Sequence, residues 1–346
     1  MVQFILRRLI QAAFIMFLLS VLFFALVNLV PGGPLAGYGG GRHMPPEQAA
    51  ILRRQLGLDN PLPLQYVVWM FGNDWMNVKT NATTSGTGNG IRLGILRGDF
   101  GFSYHTRQPV LTVIGERIPN TLYLMGVTLL VALVIAIPAG ILSAVRQYSF
   151  FDISVTTFSF AGQAIPDFWL GLILIIVFYA WLKNPITGDS LLPAGGILTI
   201  GVPFSVLDAL QHLILPVATG ALGWIAWYSR FLRSSMLDVI HQDYLRTARA
   251  KGLSQQAVIF KHALRNALIP LVTLFALDLP YIFSGAVFIE TIFAWPGMGR
   301  LYYQAAQQRD YPVLLAVLII GASMIILSNL LADVFYAFLD PRIRYS

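Results

Sequence analysis

Leu9–Val30 reads LIQAAFIMFLLSVLFFALVNLV, 22 residues without a charge. A helix needs about 20 apolar residues to cross the hydrocarbon core of a bilayer, so this stretch decides the class of fold. A cleavable secretory signal has a shorter apolar region, about 7–15 residues, and a small-x-small cleavage site. Here Pro31-Gly32-Gly33-Pro34 follows instead, and Arg7-Arg8 stands before the run. That flank is the one expected of a retained first span whose basic end stays in the cytoplasm.

Outward from it, five more apolar runs occur at about 119–145, 153–182, 210–232, 267–292 and 313–338. The chain as a whole is 56% hydrophobic and 11% charged, with mean hydropathy +0.68. A soluble domain carries roughly twice that share of charge. The expectation is an all-α polytopic membrane protein with six transmembrane helices. Pro138, Pro166, Pro216, Pro270 and Pro280 fall inside the runs. Membrane helices tolerate such breaks where neighbouring groups satisfy the freed backbone. Tyr179, Trp181, Trp224, Trp227, Tyr228, Trp295 and Tyr336 lie near predicted span ends, where aromatic belts form.

Orientation follows from the short loops. With the N-terminus inside, twelve Lys and Arg residues fall on the cytoplasmic side, including Arg146, Arg230 and Arg233, against Lys183, Arg300 and Arg309 outside. The positive-inside rule then gives N-in and C-in, with a large extracytoplasmic loop between helices 1 and 2. It also accounts for the net charge of +7 without nucleic acid as a partner. The chain has no cysteine, hence no disulfide, thiolate metal site or thiol nucleophile. The expected regions are 1–30 for the anchor and first span, 31–118 for the outer loop, and 119–346 for the core with its cytoplasmic loop 233–266.

In the outer loop, Pro46–Leu56 (PEQAAILRRQL) predicts a short amphipathic helix. Glu47 sits in its first turn, Ala49, Ile51, Leu52 and Leu56 form an apolar stripe, and Gly57 stops it. Residues 77–92 are polar and Gly-rich and read as a flexible insert; Asn81-Ala82-Thr83 within it is a chance-level glycosylation match.

Catalytic chemistry is missing. None of the four lysines (Lys79, Lys183, Lys251, Lys261) follows a glycine, so there is no phosphate-cradling P-loop. The five histidines (His43, His105, His212, His241, His262) are scattered, and no H-E-x-x-H or G-x-S-x-G occurs. The chain is not expected to be an enzyme or to hold a metal or cofactor of its own. Ionisable residues inside spans carry functional weight, because burying them in lipid is costly. Asp167 follows Pro166 in the third run, and Asp278 stands two residues before Pro280 in the fifth. Each is a capping or protonated aspartate at a proline break, or a group lining the pathway and attracting a cationic part of a substrate. Asp152, Glu290 and Asp333 lie near predicted interfaces, where a structural carboxylate reaches water, and His212 reads as a hydrogen-bonded interfacial histidine.

The polar island Tyr244–Pro270 (YLRTARAKGLSQQAVIFKHALRNALIP) is far longer than a chain reversal needs. Arg246, Arg249, Lys251, Lys261 and Arg265 make it basic, and it holds no acid. A basic cytoplasmic loop touching anionic headgroups is one reading. Its internal order supports another. Tyr244–Lys251 is a helix former ended by Gly252, and Ser254 can cap a second helix starting at Gln255. Helix, glycine turn and helix along a membrane face make a rigid knob on which another protein can push.

This segment resembles the cytoplasmic coupling loop of ABC-importer permeases of the dipeptide/oligopeptide/nickel group. The resemblance is carried by Tyr244–Ser254 (YLRTARAKGLS), Lys261–Ala267 (KHALRNA) with Pro270, Glu290–Leu301 (ETIFAWPGMGRL) and Asp340–Arg344 (DPRIR). In the outer loop, Leu56–Pro61 with Gln65-Tyr66, and Gly98–Ser103, match as well. It spans essentially the whole chain in order. It implies a transmembrane permease subunit forming half of a translocation pathway for short peptides, with nickel chelates or oligosaccharides as alternatives. It also implies a second, similar permease, two cytoplasmic ATPases that bind ATP and Mg, an extracytoplasmic solute-binding protein, and a bacterial or archaeal plasma (inner) membrane. The ATPase-coupling residues would be Tyr244, Arg246, Thr247, Ala248, Arg249, Ala250, Lys251, Gly252, Leu253 and Ser254. Two departures stand out. Arg246-Thr247-Ala248 replaces the general Glu-Ala-Ala, and Arg265 stands where the general pattern has proline. A self-sufficient secondary transporter is the competing class, but the internal inverted repeats expected there are not visible.

Overall fold

The computed structural model describes residues 2–35, 37, 45–75, 93–284 and 286–339, and every regular element among them is a helix. Residues 77–92, with the Asn81 sequon, lie outside the described residues, as do His43, Lys79 and Asp340–Arg344. Among the described residues, five helices are long and apolar enough to cross a membrane: Leu6–Leu29, Val110–Val145, Val206–Ile240, Gln255–Ile282 and Tyr311–Ala332. A sixth span is made if the broken pair Phe150–Ala164 and Asp167–Trp181 counts as one; its halves are bent by 100°. The chain is an all-α polytopic membrane protein.

The predicted run 153–182 is thus two helices, α6 (Phe150–Ala164) and α7 (Asp167–Ile175, continued by a π-helical turn Ile176–Trp181). Pro166 causes the break. It lacks an N–H and pushes the residue before it out of the helical region, and Ile165 accordingly sits at φ −83°, ψ 121°. Hydropathy sees composition and not direction, so the bend was invisible to it.

Two compact units form, Met1–Pro119 with Leu301–Ile326, and Asn120–Arg300 with Leu327–Ser346. In the first, α1 (Val2–Leu29) leads to the outer-loop helices α2 (Pro46–Leu56) and α3 (Leu62–Phe71). The expected α2 is present, and Gly57 ends it in the left-handed region at φ 69°. Within its apolar stripe Ile51 is 57% exposed, whereas Ala49 and Leu52 are half-buried. Val27, Tyr311 and Leu315 form a small core with Phe23, Val30 and Trp69 around it. Ser20 Oγ and Tyr66 OH, 2.7 Å apart, tie α3 to the first span.

Two carboxylates organise the rest of this unit. Asp310 is buried and accepts from Ser103 Oγ (2.5 Å), Tyr104 N (3.1 Å) and His105 N (3.3 Å). The Gly98–Ser103 element is therefore anchored to the residue before α14 (Tyr311–Leu339). Asp74 accepts twice from Arg97, at 2.7 and 2.6 Å, and Arg97 also donates to the Phe71 carbonyl. The Arg97 hydrogen bonds hold the Asp74 carboxyl below its ordinary value.

In the second unit, α5 (Ile118–Val145) and α8 (Val206–Ile240) approach closely at Gly140, where a Cβ would stand 2.8 Å from the Ser229 carbonyl oxygen. Lipid tails are as apolar as side chains, so this contact is held by tight packing of small residues rather than by expulsion of water. α8 runs eight residues beyond the predicted end of its span. Arg233 lies inside it and binds Asp152 of α6 through two bonds of 2.5 and 2.7 Å, with Asp152 2% exposed. Asp152 is thus buried against a partly exposed Arg233 rather than a group at water. Tyr228 and Trp295 are fully buried rather than part of a belt, whereas Trp181 is exposed as expected. The side chains of Asp333 and Tyr336 lie outside what is described.

Candidate functional site: the 243–254 knob and the intramembrane charges

The basic island folds as its sequence predicts. α9 (Asp243–Ala250) is followed by Gly252 at φ 80°, and the Gly252 and Leu253 amides close the turn on the Arg249 (2.9 Å) and Ala248 (3.4 Å) carbonyls. A positive φ costs a residue with a Cβ about 1–2 kcal/mol, so glycine is the residue that ends this helix cleanly. Ser254 Oγ then accepts from Ala257 N at 3.3 Å, starting α10 (Gln255–Ala257), a π-helical turn (Val258–Ala263) and α11 (Leu264–Ser284).

What seats the knob was less visible in the sequence. Leu245 is 0% and Ala248 9% exposed, and both belong to a core with Leu232, Met236, Val258 and Leu271. Asn266 Nδ2 donates to Tyr244 OH at 2.7 Å, and Ser235 Oγ donates to the Ala267 carbonyl at 2.9 Å. Of the ten coupling residues named from sequence, Ala248 faces inward, while Tyr244, Arg246, Thr247, Arg249, Ala250, Lys251, Gly252, Leu253 and Ser254 face outward. The inward seat and the outward basic face belong to one eight-residue helix.

The intramembrane acids differ from one another. Asp278 is half-buried in α11 and accepts from the OH of fully buried Tyr228 at 2.6 Å. Asp167 does not sit mid-helix. It opens α7 after the proline break, is exposed, and has no hydrogen bond or ion pair among the described residues. No bond joins the two among the described residues.

Glu290 departs furthest from its reading as a group near water: it is 0% exposed. It accepts from Thr121 Oγ1 (2.8 Å) and Arg300 N (2.9 Å), and Thr121 Oγ1 in turn accepts from Met298 N at 2.7 Å. A Cβ on Gly297 would stand 2.5 Å from the carboxylate, so glycine there makes room for it. Trp295 Nε1 donates to the Asn120 carbonyl (2.9 Å). The Glu290–Leu301 stretch is thus a turn wrapped round one buried carboxylate. His212 is a buried histidine 3.3 Å from Thr199 Oγ1 and 3.6 Å from Asp208, a structural setting. No group of three or more potential metal ligands occurs among the described residues.

Apolar spans, one of them a pair of helices bent by 100°, and a basic helix–turn–helix packed on the α8–α11 core define a polytopic membrane protein. Residues 136–345 match the binding-protein-dependent transport system inner membrane component family, and residues 1–125 match that family's N-terminal component. The oligopeptide transport system permease protein AppB of Bacillus subtilis is 41% identical over 350 residues, covering all of both chains. A putative peptide permease protein of Brucella suis is 40% identical over 99% of each chain. The dipeptide transport system permease protein DppB of Escherichia coli K12 is 37% identical over all of this chain and 99% of its own. The chain belongs to the family of membrane permeases of binding-protein-dependent, ATP-binding-cassette import systems.

Proposed function

We propose that this chain forms half of a translocation pathway for short peptides, beside a second, similar permease. Two cytoplasmic ATPases, which bind the ATP and Mg, press on the 243–254 knob, and an extracytoplasmic binding protein delivers the peptide. The setting is a bacterial or archaeal plasma membrane with both termini inside. The observation that carries the coupling role is the double character of α9, with Leu245 and Ala248 locked in the core and its basic residues turned outward. The absence of a P-loop from the sequence fits energy arriving from another chain. The oligopeptide and dipeptide permeases among the relatives support peptides as cargo.

In this account Asp167 and Asp278 line the pathway and draw in the substrate's ammonium group. Neither has a cationic partner among the described residues, and lone charges in a membrane face water or a partner. The test is uptake of a labelled dipeptide into vesicles holding the assembled importer. ATP- and binding-protein-dependent uptake that falls in the Asp167→Asn and Asp278→Asn variants is expected. Uptake by this chain alone, driven by a proton gradient, contradicts the proposal.

A further inference from the structure

Arg230 was placed by sequence at a cytoplasmic span end; in the structure it lies within α8 and is bonded to α6. It lies ten residues before the end of α8, about 15 Å along the axis. Its Nη2 donates to Gln163 Oε1 at 2.5 Å, and Gln163 is thirteen residues past the start of α6, about 20 Å along that axis. The Asp152–Arg233 pair ties those two helix ends to the same side. Arg233, one turn along α8, pairs with Asp152 at the start of α6, so the Arg230 guanidinium reaches from there along α6 to the turn before the break.

The group is unfinished there. Its carbon lies 4.7 Å from the Phe160 ring centroid, Nε is buried without a partner, and no carboxylate pairs with it among the described residues. Two residues beyond Gln163 the helix breaks. The break leaves the last carbonyls of α6 and the first amides of α7 without helical partners. Asp167, unpaired, opens α7. Asp167 lies four positions after Gln163, at most about 14 Å of extended chain away. Between them a shallow cleft is lined by Ala164, Ile165, Pro166, Phe168 and Trp169. An unpaired cation, an unpaired anion and open backbone near one helix break are each costly against lipid and each relieved by a polar, doubly charged guest.

We infer that Arg230, held by Gln163, receives the free carboxylate of a transported peptide at this break, while Asp167 receives its ammonium group. The guanidinium fork suits a carboxylate in a way that a point charge does not. This inference rests on the peptide-importer reading and adds a specificity residue to it.

The test uses the full importer, with its partner subunits and binding protein, in vesicles. Uptake of dialanine and of dialanine amide is measured for wild type, Arg230→Gln and Arg230→Lys. A hydrogen-bonded charge contributes enough to predict a 10- to 100-fold loss of dialanine uptake in Arg230→Gln and a much smaller loss for the amide. The ratio of acid to amide uptake should fall at least tenfold, with Arg230→Lys intermediate. The binding protein is the same throughout, so its own preference cancels from the comparison. An unchanged ratio overturns the inference. If the wild type admits no amide, equal dialanine uptake by the Lys and Gln variants overturns it. Loss of the second permease from purified Arg230→Gln complexes also overturns it, by showing that Arg230 pairs across the subunit contact. A wild-type importer that moves another solute and no dipeptide refutes the parent reading instead.

Discussion

Leu245→Ala is the substitution that most directly separates a seated knob from a loose basic loop. Leu245 is 0% exposed and packs with Met236, Leu232 and Val258, so truncation leaves a cavity that α9 cannot close by itself. Buried Leu→Ala changes cost about 2–5 kcal/mol. α9 has eight residues, and besides Leu245 it is held by Ala248 and by one Tyr244–Asn266 hydrogen bond of about 1 kcal/mol. A loss near 3 kcal/mol therefore removes most of what docks the helix and raises its undocked population roughly 150-fold, at 1.4 kcal/mol per factor of ten. Amide hydrogen exchange on the assembled importer reads this. Residues 246–250 should exchange about a hundredfold faster than in wild type, with α5 unchanged. Uptake should fall more than ATP hydrolysis, since the ATPases would push on an unseated helix. Leu253→Ala, at a 43% exposed position, serves as the control and should leave α9 protection as it was. Wild-type protection in Leu245→Ala, with the protein folded, refutes the argument that this contact carries the push.

Gly252→Ala tests backbone conformation alone, because a Cβ there meets nothing within 4 Å while φ is +80°. A cost of about 1–2 kcal/mol should appear as a five- to thirtyfold rise in exchange at α9 and not as global unfolding. Glu290→Gln puts an NH2 where one of two accepting oxygens stood, facing the Thr121 hydroxyl or the Arg300 amide. Hydrogen bonds to charged groups contribute about 1.5–3 kcal/mol each, so thermal unfolding followed by the fluorescence of buried Trp295 should start several degrees lower, with Thr121→Val behaving alike. At the Asp74–Arg97 pair, the folded-state carboxyl is held below its unfolded value, so its contribution is present above that unfolded value and is lost as pH falls through the folded one. Protection of the amides near Asp74 and Arg97 should therefore drop on acidification in wild type, and Asp74→Asn should abolish that pH dependence.

Local chemistry was legible in the sequence. Gly57, Gly252 and Ser254 act on residues within a turn of themselves, and each ends or starts a helix where the pattern places it. The island's polarity marked the knob for the same reason. Long-range partners were not legible. Glu290 looked like a carboxylate near water because its partner Thr121 is 169 residues away, and Asp310 drew no attention because Ser103 is 207 residues away. Arg230 and Arg233 were taken as markers of a membrane edge, and their partners Gln163 and Asp152 on α6, 67 and 81 residues away, went unseen. Leu245 was passed over in a motif chosen for its polar residues. Its i and i+3 spacing to Ala248 was the available signal for an inward face.

The most direct measurement is a cross-link from the knob. The chain has no native cysteine, so a single Leu253→Cys gives a clean site on an exposed residue beside the Gly252 turn. In vesicles holding the whole importer, a short thiol cross-linker should join Cys at 253 to an ATPase subunit, with a yield that changes when ATP is added. A cysteine at exposed Leu96 in the outer loop should give no such product. Cross-linking to an ATPase from the outer-loop position, and none from 253, would contradict both the orientation and the coupling role given to this knob.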